Sequence, residues 1–121
     1  MICITQNSVC SNDTACALGL FDGVHKGHRM IIENAVKTAV QMGIGSAVFT
    51  FQTDSVTSKG HDGRLEMLLT DEEKRRHFEK LGADYLYSPV FEEYKSMPPE
   101  AFVRDVLKAR LNCVYAVCGT D

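Results

Sequence analysis

Residues 15–51 read ACALGLFDGVHKGHRMIIENAVKTAVQMGIGSAVFTF, and this stretch predicts the fold of the chain. The apolar run at its start predicts a buried strand over residues 15–21, and the β-branched and aromatic run at its end predicts a second strand over residues 46–51. Between them a helix that ends at Gly43 is predicted. Its apolar stripe consists of Ile31, Ile32, Ala35, Val36, Ala39 and Val40. The stretch is therefore a strand, a glycine-rich turn, a helix and a strand.

The rest of the chain continues this alternation of strands and helices. Thr70 and Glu73 have the spacing of a capping box, which predicts a helix that ends before Gly82. A proline pair begins a further helix, whose predicted buried residues are Phe102, Val103, Val106 and Leu107. The other predicted strands are DYLYS (84–88) and CVYAVC (113–118). The order β-α-β-α-β-α-β predicts one α/β domain over residues 1–121, with a parallel sheet and helices on both faces. The first 14 residues carry mixed turn and strand signals and are assigned to neither.

Composition excludes several classes of protein. The 121 residues are 45% hydrophobic and 24% charged, with a net charge of −3, as in an ordinary globular domain. No apolar run approaches the ~20 residues of a membrane-spanning helix, and the N-terminus lacks the basic start of a signal peptide. We therefore expect a cytoplasmic protein with no membrane attachment. No basic patch predicts binding to nucleic acid, and the mixed charges of EEKRR (72–76) predict a solvated helix face.

The five cysteines predict neither a disulfide framework nor a common zinc site, because their number is odd and no C-x-x-C is present. Cys113 and Cys118 are five residues apart in a predicted strand, so they would face opposite sides of the sheet and could not bridge to each other. We expect reduced, mostly buried thiols and no intramolecular disulfide in the cytoplasm.

The turn GLFDGVHKGH (19–28) holds three glycines, two histidines and an aspartate between the first predicted strand and the first helix. In open α/β sheets, ligands bind beyond the carboxyl ends of the strands near a topological switch point. Free N–H groups and the positive end of the helix dipole favour a phosphate there. Gly23 and Gly27 would let the backbone approach a ligand, and His25 and His28 would add donors. The turn predicts a site for the phosphates of a nucleotide.

Other interpretations of the turn remain open from the residues alone. The H-x-x-H spacing could be half of a zinc site, although no recognisable pattern nearby supplies the other ligands, and the histidines could be ordinary loop residues. The chain contains neither G-x-x-x-x-G-K-[ST] nor G-x-G-x-x-G. The residues therefore predict a nucleotide-binding α/β domain without identifying its reaction.

The pattern G-x-F-D-G-x-H-x-G-H resembles the signature of the HxGH nucleotidylyltransferase superfamily. More closely, the chain resembles the FAD synthetase (FMN adenylyltransferase) domain of bacterial bifunctional riboflavin kinase/FAD synthetases. The matching stretches are ALGLFDGVHKGH, LLTDEEKRRHFEKLGADYLYSPVFEEYKSMPPEAFVRDVL and VYAVCGTD. The resemblance covers almost all of residues 15–121 and implies a Rossmann-like fold.

This resemblance implies transfer of AMP from ATP to the phosphate of FMN, giving FAD and pyrophosphate. As catalytic residues, His25 and His28 would contact the ATP phosphates and stabilise the charge that develops as the α-phosphorus is attacked. Mg²⁺ would be bound mainly through phosphate oxygens. The nucleotide-binding segment would also include Gly19, Leu20, Phe21, Asp22, Gly23, Val24 and Gly27. Phe51 lies where the family's flavin pocket begins, and Asp121 matches a polar position near the substrates. Alternatively, Phe51 is a core residue and Asp22 caps neighbouring N–H groups.

The chain also departs from the family. The family follows TF with an acidic residue and P-H-P, whereas this chain reads TFQTDSV, which implies an altered flavin-side loop. The rest of G-x-D-F-x-F-G, the arginine-bearing nucleotide clamp and the riboflavin kinase domain are not among these 121 residues. We expect the chain alone to bind Mg²⁺-ATP poorly and to make little or no FAD. A longer gene product, if one exists, should be the active enzyme. The alternatives are a cytidylyltransferase-type enzyme for another phosphorylated substrate, or a non-catalytic nucleotide- or flavin-binding module.

Overall fold

A computed structural model describes residues 1–5, 8–21, 26–52 and 70–118. The strands are β1 (Ile2–Ile4), β2 (Thr14–Leu18), β3 (Gly45–Phe49), β4 (Tyr85–Tyr87) and β5 (Cys113–Cys118). The helices are α1 (Lys26–Met42), α2 (Asp71–Lys80) and α3, which consists of the α-helical turn Pro99–Ala101 and the π-helical segment Phe102–Lys108. A 3₁₀ turn, Phe91–Glu93, precedes α3.

All strand pairs in the sheet are parallel, in the order β1-β4-β3-β2-β5. Cys16 of β2 lies opposite Ala47 of β3 and Ala116 of β5. The predicted parallel sheet is confirmed. The structure adds β1 at one edge, within the residues that the sequence did not assign, where Ile2 pairs with Tyr85 of β4.

The ends of α1 and α2 follow the predicted local signals. Gly43 after α1 and Gly82 after α2 adopt φ values of 71° and 100°, in the left-handed region that favours glycine. At the start of α2, the Thr70 side chain accepts a hydrogen bond of 3.1 Å from the Glu73 amide, and the Glu73 carboxylate accepts one of 2.8 Å from the Thr70 amide. These two bonds confirm the predicted capping box.

Successive strand residues face opposite sides of the sheet, and each side packs against helices. One hydrophobic core joins β-strand residues to α3 and the segment that follows it, and includes Cys16, Ala47, Phe49, Tyr87, Val106, Leu107 and Leu111. The other core joins the sheet to α1 and α2, and includes Ala17, Val48, Leu86, Phe21, Ile32, Ala35 and Phe78. The predicted Rossmann-like α/β arrangement, with helices on both faces, is therefore confirmed.

Two predicted core positions are wrong. Val40 is 76% exposed, because it follows buried Ala39 and is rotated about 100° from it around α1, beyond the arc that faces the sheet. Val103 is 46% exposed, whereas Val106 and Leu107 of the same helix are buried.

Within the described ranges, no helix combines the length and apolar character needed to cross a membrane.

The cysteines are all free, but the expectation that most are buried is wrong. Cys10 and Cys16 are buried, Cys113 is half-buried, and Cys3 and Cys118 are exposed on the two edge strands. Across β2 and β5, interaction with the Cys16 thiol lowers the pKa of Cys113. The same interaction, together with burial, raises the pKa of Cys16.

Candidate functional site

The predicted phosphate-binding turn connects the carboxyl end of β2 to the N-terminus of α1. From β2 the chain proceeds outward through β3 and β4, and it returns only later to place β5 on the other side of β2. The strand order thus reverses beside β2, at the kind of position where open α/β sheets bind ligands. Helix α1 has 17 residues and no acidic residue in its own first turn, and the positive end of its dipole favours an anion.

The chain leaving β2 is held by hydrogen bonds to β3 and to the residue that follows it. The Gly19 amide donates to the Phe49 carbonyl oxygen at 3.1 Å. The Leu20 carbonyl oxygen accepts a hydrogen bond of 2.6 Å from the hydroxyl of Thr50, which is buried. These bonds fix the backbone that enters the turn.

Phe21 folds back over this backbone and packs against α1 and α2. Its ring is 2% exposed and makes edge contacts with the ring of His28, at 5.5 Å between centroids, and with that of Phe78, at 5.6 Å. Its φ of 48° is unusual for a bulky residue and is maintained by this packing. A Cβ atom at Gly19 would lie 2.9 Å from Cζ of Phe21. Gly19 therefore permits the close approach of the Phe21 ring.

His28 lies in the first turn of α1 and is half-buried against Phe21. The structure thus places one of the two predicted catalytic histidines at the helix N-terminus that faces the carboxyl edge of the sheet. Gly27 belongs to the same turn of α1. Five of the predicted site residues lie outside the described residues: Asp22, Gly23, Val24, His25 and Asp121.

Lys74 lies beside the candidate site, and the sequence interpretation missed it. The segment 72–76 was predicted to be a solvated face, but Lys74 is only 3% exposed. Its ammonium group donates hydrogen bonds to the carbonyl oxygens of Leu20, at 3.1 Å, and Phe51, at 3.0 Å. The available sequence signal was spacing, because Lys74 lies four residues before buried Phe78 and so shares its face of α2.

Phe51 lies beyond the end of β3, on the opposite face of the sheet from Phe21. It is half-buried in an aromatic cluster, with ring centroids 5.3 Å from Phe49, 5.2 Å from Phe91 and 5.9 Å from Tyr94. Burial, together with a hydrogen bond to the Tyr87 hydroxyl, raises the pKa of Tyr94, so this hydroxyl is neutral at physiological pH. Sequence reasoning named Phe51 as a candidate flavin-side residue and missed the partners that surround it.

The carboxyl edge of the sheet thus carries a helix N-terminus with a histidine and, on the other face, an aromatic cluster. Such an arrangement suits an anion beside α1 and a planar ring beside Phe51. Among the described residues, no group of three or more His, Cys, Asp or Glu side chains is arranged to hold a metal ion. A metal that enters with its own anionic ligand does not require such a group.

Comparison with known proteins identifies relatives of this chain. The bifunctional riboflavin kinase/FMN adenylyltransferase of Listeria monocytogenes is 35% identical over 98% of this chain, which covers 38% of that protein. The enzyme of the same description from Bacillus subtilis is 38% identical over 87% of this chain, which covers 34% of it. A solved structure from Streptococcus pneumoniae, described as a macrolide-efflux protein, matches all of this chain and 49% of its own, with a TM-score of 0.78 and 26% identity.

The chain spans little more than a third of these two bifunctional relatives. The match to the FAD synthetase family itself, however, extends over residues 7–121 and so includes the turn, the aromatic cluster and the helices that the structure describes. With that match and relatives more than 30% identical over most of its length, this chain belongs to the FAD synthetase family.

Proposed function

We propose that this domain binds ATP and FMN and transfers AMP from ATP to the phosphate of FMN, giving FAD and pyrophosphate. The observation that carries the proposal is the position of the H-x-G-H turn. It leads into α1 at the point where strand order reverses, in a chain that the FAD synthetase family matches over residues 7–121. The relatives named above are described as FMN adenylyltransferases, which supports this reaction for the present chain.

The proposed reaction needs no nucleophile from the protein. An oxygen of the FMN phosphate attacks the α-phosphorus of ATP, and the bond from that phosphorus to the bridging oxygen of the leaving pyrophosphate breaks. Positioning and electrostatic stabilisation carry most of the catalysis in such transfers. The N-terminus of α1 and His28 would hold the phosphates, with His25 as a second donor from the same turn. Mg²⁺ would enter bound to ATP and neutralise part of the charge of the triphosphate.

The flavin ring would bind on the Phe51 side of the sheet edge. Phe51, Phe91 and Tyr94 are all half-buried, so each retains exposed surface while being fixed by edge contacts with its neighbours. Fixed aromatic rings suit a planar, largely apolar ligand, because little side-chain entropy is lost on binding. In this proposal both substrates bind at the carboxyl edge of the sheet. The nucleotide lies on the α1 side and the flavin on the Phe51 side, and their phosphates meet at the turn.

The direct test incubates the 121-residue chain, and the longest product of its gene, with FMN, ATP and Mg²⁺, followed by chromatography for FAD. We expect FAD from the longer product and little or none from the chain alone, which should nevertheless bind Mg²⁺-ATP weakly. CTP in a parallel reaction tests the cytidylyltransferase alternative, since a CTP-dependent product without FAD would replace the proposal. Binding of nucleotide and flavin without any transfer by either form would instead support the non-catalytic module.

A His28→Ala variant tests the role of the turn. Loss of an oxyanion-type donor reduces turnover by about 10²–10³-fold, so we expect a reduction in that range in the active form. His77→Ala is the matched control, because it also removes an imidazole beside an aromatic ring but does so on α2 rather than at the N-terminus of α1. The His77 ring lies 6.3 Å from that of Phe78 between centroids. Equal turnover of the His28→Ala and unmodified proteins would remove His28 from the proposed mechanism.

A further inference from the structure

The buried ammonium group of Lys74 joins two segments that the proposed function assigns to different substrates. It donates to Leu20, which lies in the nucleotide-binding turn, at 3.1 Å, and to Phe51, on the flavin side, at 3.0 Å. Both acceptors are backbone carbonyl oxygens just beyond the ends of β2 (Leu18) and β3 (Phe49). One nitrogen atom therefore links these two chain segments directly.

The regular pairing of β2 and β3 does not extend to these positions. The paired register ends at Leu18 and Phe49, and the Gly19 amide adds one further backbone bond to Phe49. Beyond it, the side chains of Thr50 and Lys74 provide the bonds to Leu20. The alignment of the two segments thus depends on side chains at the place where two substrates would have to meet.

The identity of the residue argues against a merely space-filling role. A buried ammonium group loses its hydration, and this loss is offset only by hydrogen bonds of good geometry. An unbranched apolar side chain such as methionine would fill similar space without that cost. Lys74 is also fixed at its base, since it follows the capping box at the start of α2 and its amide donates to the Thr70 carbonyl oxygen at 2.9 Å.

We propose that Lys74 is a positioning residue that fixes the nucleotide-binding turn relative to the flavin-side strand end, so that the FMN phosphate lies in line with the α-phosphorus of ATP. This inference rests on the proposed function for its consequence in catalysis. Its structural part, the fixing of two backbone segments by one ammonium group, does not depend on the reaction.

The kinetic test compares Lys74→Met, Lys74→Arg and the control Lys80→Met, an exposed lysine of the same helix. In the active form, we expect Lys74→Met to keep each separate dissociation constant, for FMN by flavin fluorescence and for Mg²⁺-ATP by calorimetry, within about threefold. Its rate with both substrates saturating should fall by about tenfold or more, since small misplacements of reacting groups have large effects on rate. Lys74→Arg, which keeps the charge and changes the geometry, should be intermediate, and Lys80→Met unchanged.

Amide hydrogen exchange tests the structural part in the 121-residue chain without any activity. The amides of Gly19 and Gln52 are hydrogen-bonded to Phe49 and Pro89, and they lie next to the two clamped carbonyl groups. Exchange at both should accelerate about tenfold in Lys74→Met. The Gly45 amide, bonded to Asp13 at the other end of β3, should be unaffected.

These measurements separate failure of the inference from failure of the proposed function. An active protein whose saturated rate is unchanged by Lys74→Met overturns the positioning role, as does a rate that falls only in proportion to weaker binding of both substrates. If no form makes FAD, the proposed function fails, and unchanged exchange at Gly19 and Gln52 overturns the inference separately. Should Lys74→Met not fold, Lys74→Arg decides in the same way, because a wild-type rate or wild-type exchange there refutes the geometric requirement.

Discussion

Substitution of Gly19 by alanine should destabilise the fold through a single steric contact. A Cβ atom there would lie 2.9 Å from Cζ of Phe21 and 3.1 Å from its Cε1. The ring cannot turn away freely, because it is 2% exposed and lies between the rings of His28 and Phe78. Phe21 or the backbone that carries its positive φ must therefore shift.

The expected magnitude follows from that confinement. Overpacking a well-packed core by one methyl group costs about 1–3 kcal/mol, and a contact below 3 Å against an enclosed ring belongs near the middle of that range, at about 2 kcal/mol. For a domain of this size, each kcal/mol lowers Tm by about 4 °C, so Gly19→Ala should lower Tm by about 8 °C. Because Phe21 contacts His28, the variant should also bind Mg²⁺-ATP more weakly.

Thermal and urea unfolding followed by circular dichroism measure this effect, and a double-mutant cycle identifies its cause. In a Phe21→Leu background the ring is absent, so Gly19→Ala should cost much less there than in the unmodified protein. A Tm within 1–2 °C of wild type, or an equal cost in both backgrounds, would refute the steric argument.

Three further predictions concern other parts of the molecule. Thr70→Ala removes the hydroxyl of the capping box and should lower the free energy of unfolding by about 1 kcal/mol in urea denaturation, with Thr70→Ser close to wild type. Ile32→Ala, at a position that is 1% exposed, should lower the free energy of unfolding by about 2–5 kcal/mol. Val40→Ala, at a position that is 76% exposed, should change it by less than about 0.5 kcal/mol. Similar losses of stability in the two variants would contradict the assigned burial. Alkylation of Cys113 by iodoacetamide should rise with pH with a midpoint below that of an ordinary thiol, because its thiolate is favoured by the neighbouring Cys16 thiol. Cys16→Ala should move that midpoint upward, and an unchanged midpoint would contradict the stated cause.

The elements with strong local signals could be predicted from the sequence. The ends of α1 and α2 depend on local residues, namely Gly43 and Gly82, and so does the capping box that begins α2. The structure confirms all of these predictions. Strand ends were less accurate, since the first strand was predicted over residues 15–21 and ends at Leu18. The apolar residues that follow are not strand, because Phe21 folds back to pack against two helices. Hydrophobicity favours the burial of a residue, but it does not indicate whether a strand or an irregular segment buries it.

Strand β1 could not be predicted because its support lies far away in the sequence. It has three residues, two of them exposed, and its partner β4 begins at Tyr85. Its apolar residues belong to the run MICI (1–4), which is too short to identify a strand by itself. Its pairing depends on a neighbour that the chain supplies more than eighty residues later.

The candidate site likewise has a part that could be predicted from neighbouring residues in the sequence and a part that depends on distant ones. The H-x-G-H turn is a contiguous pattern, and the structure places its described histidine, His28, at the N-terminus of α1. Lys74 stands in a run of charged residues that a local rule assigns to solvent, yet its neighbours Glu72 and Arg76 are exposed and it is buried. The difference is the angular position on α2, since residues 74 and 78 share the face that packs on the sheet. A charged residue on the buried stripe of a helix near the ends of strands is therefore a better candidate for a functional role than its charged neighbours, because only there must its charge be matched by specific acceptors.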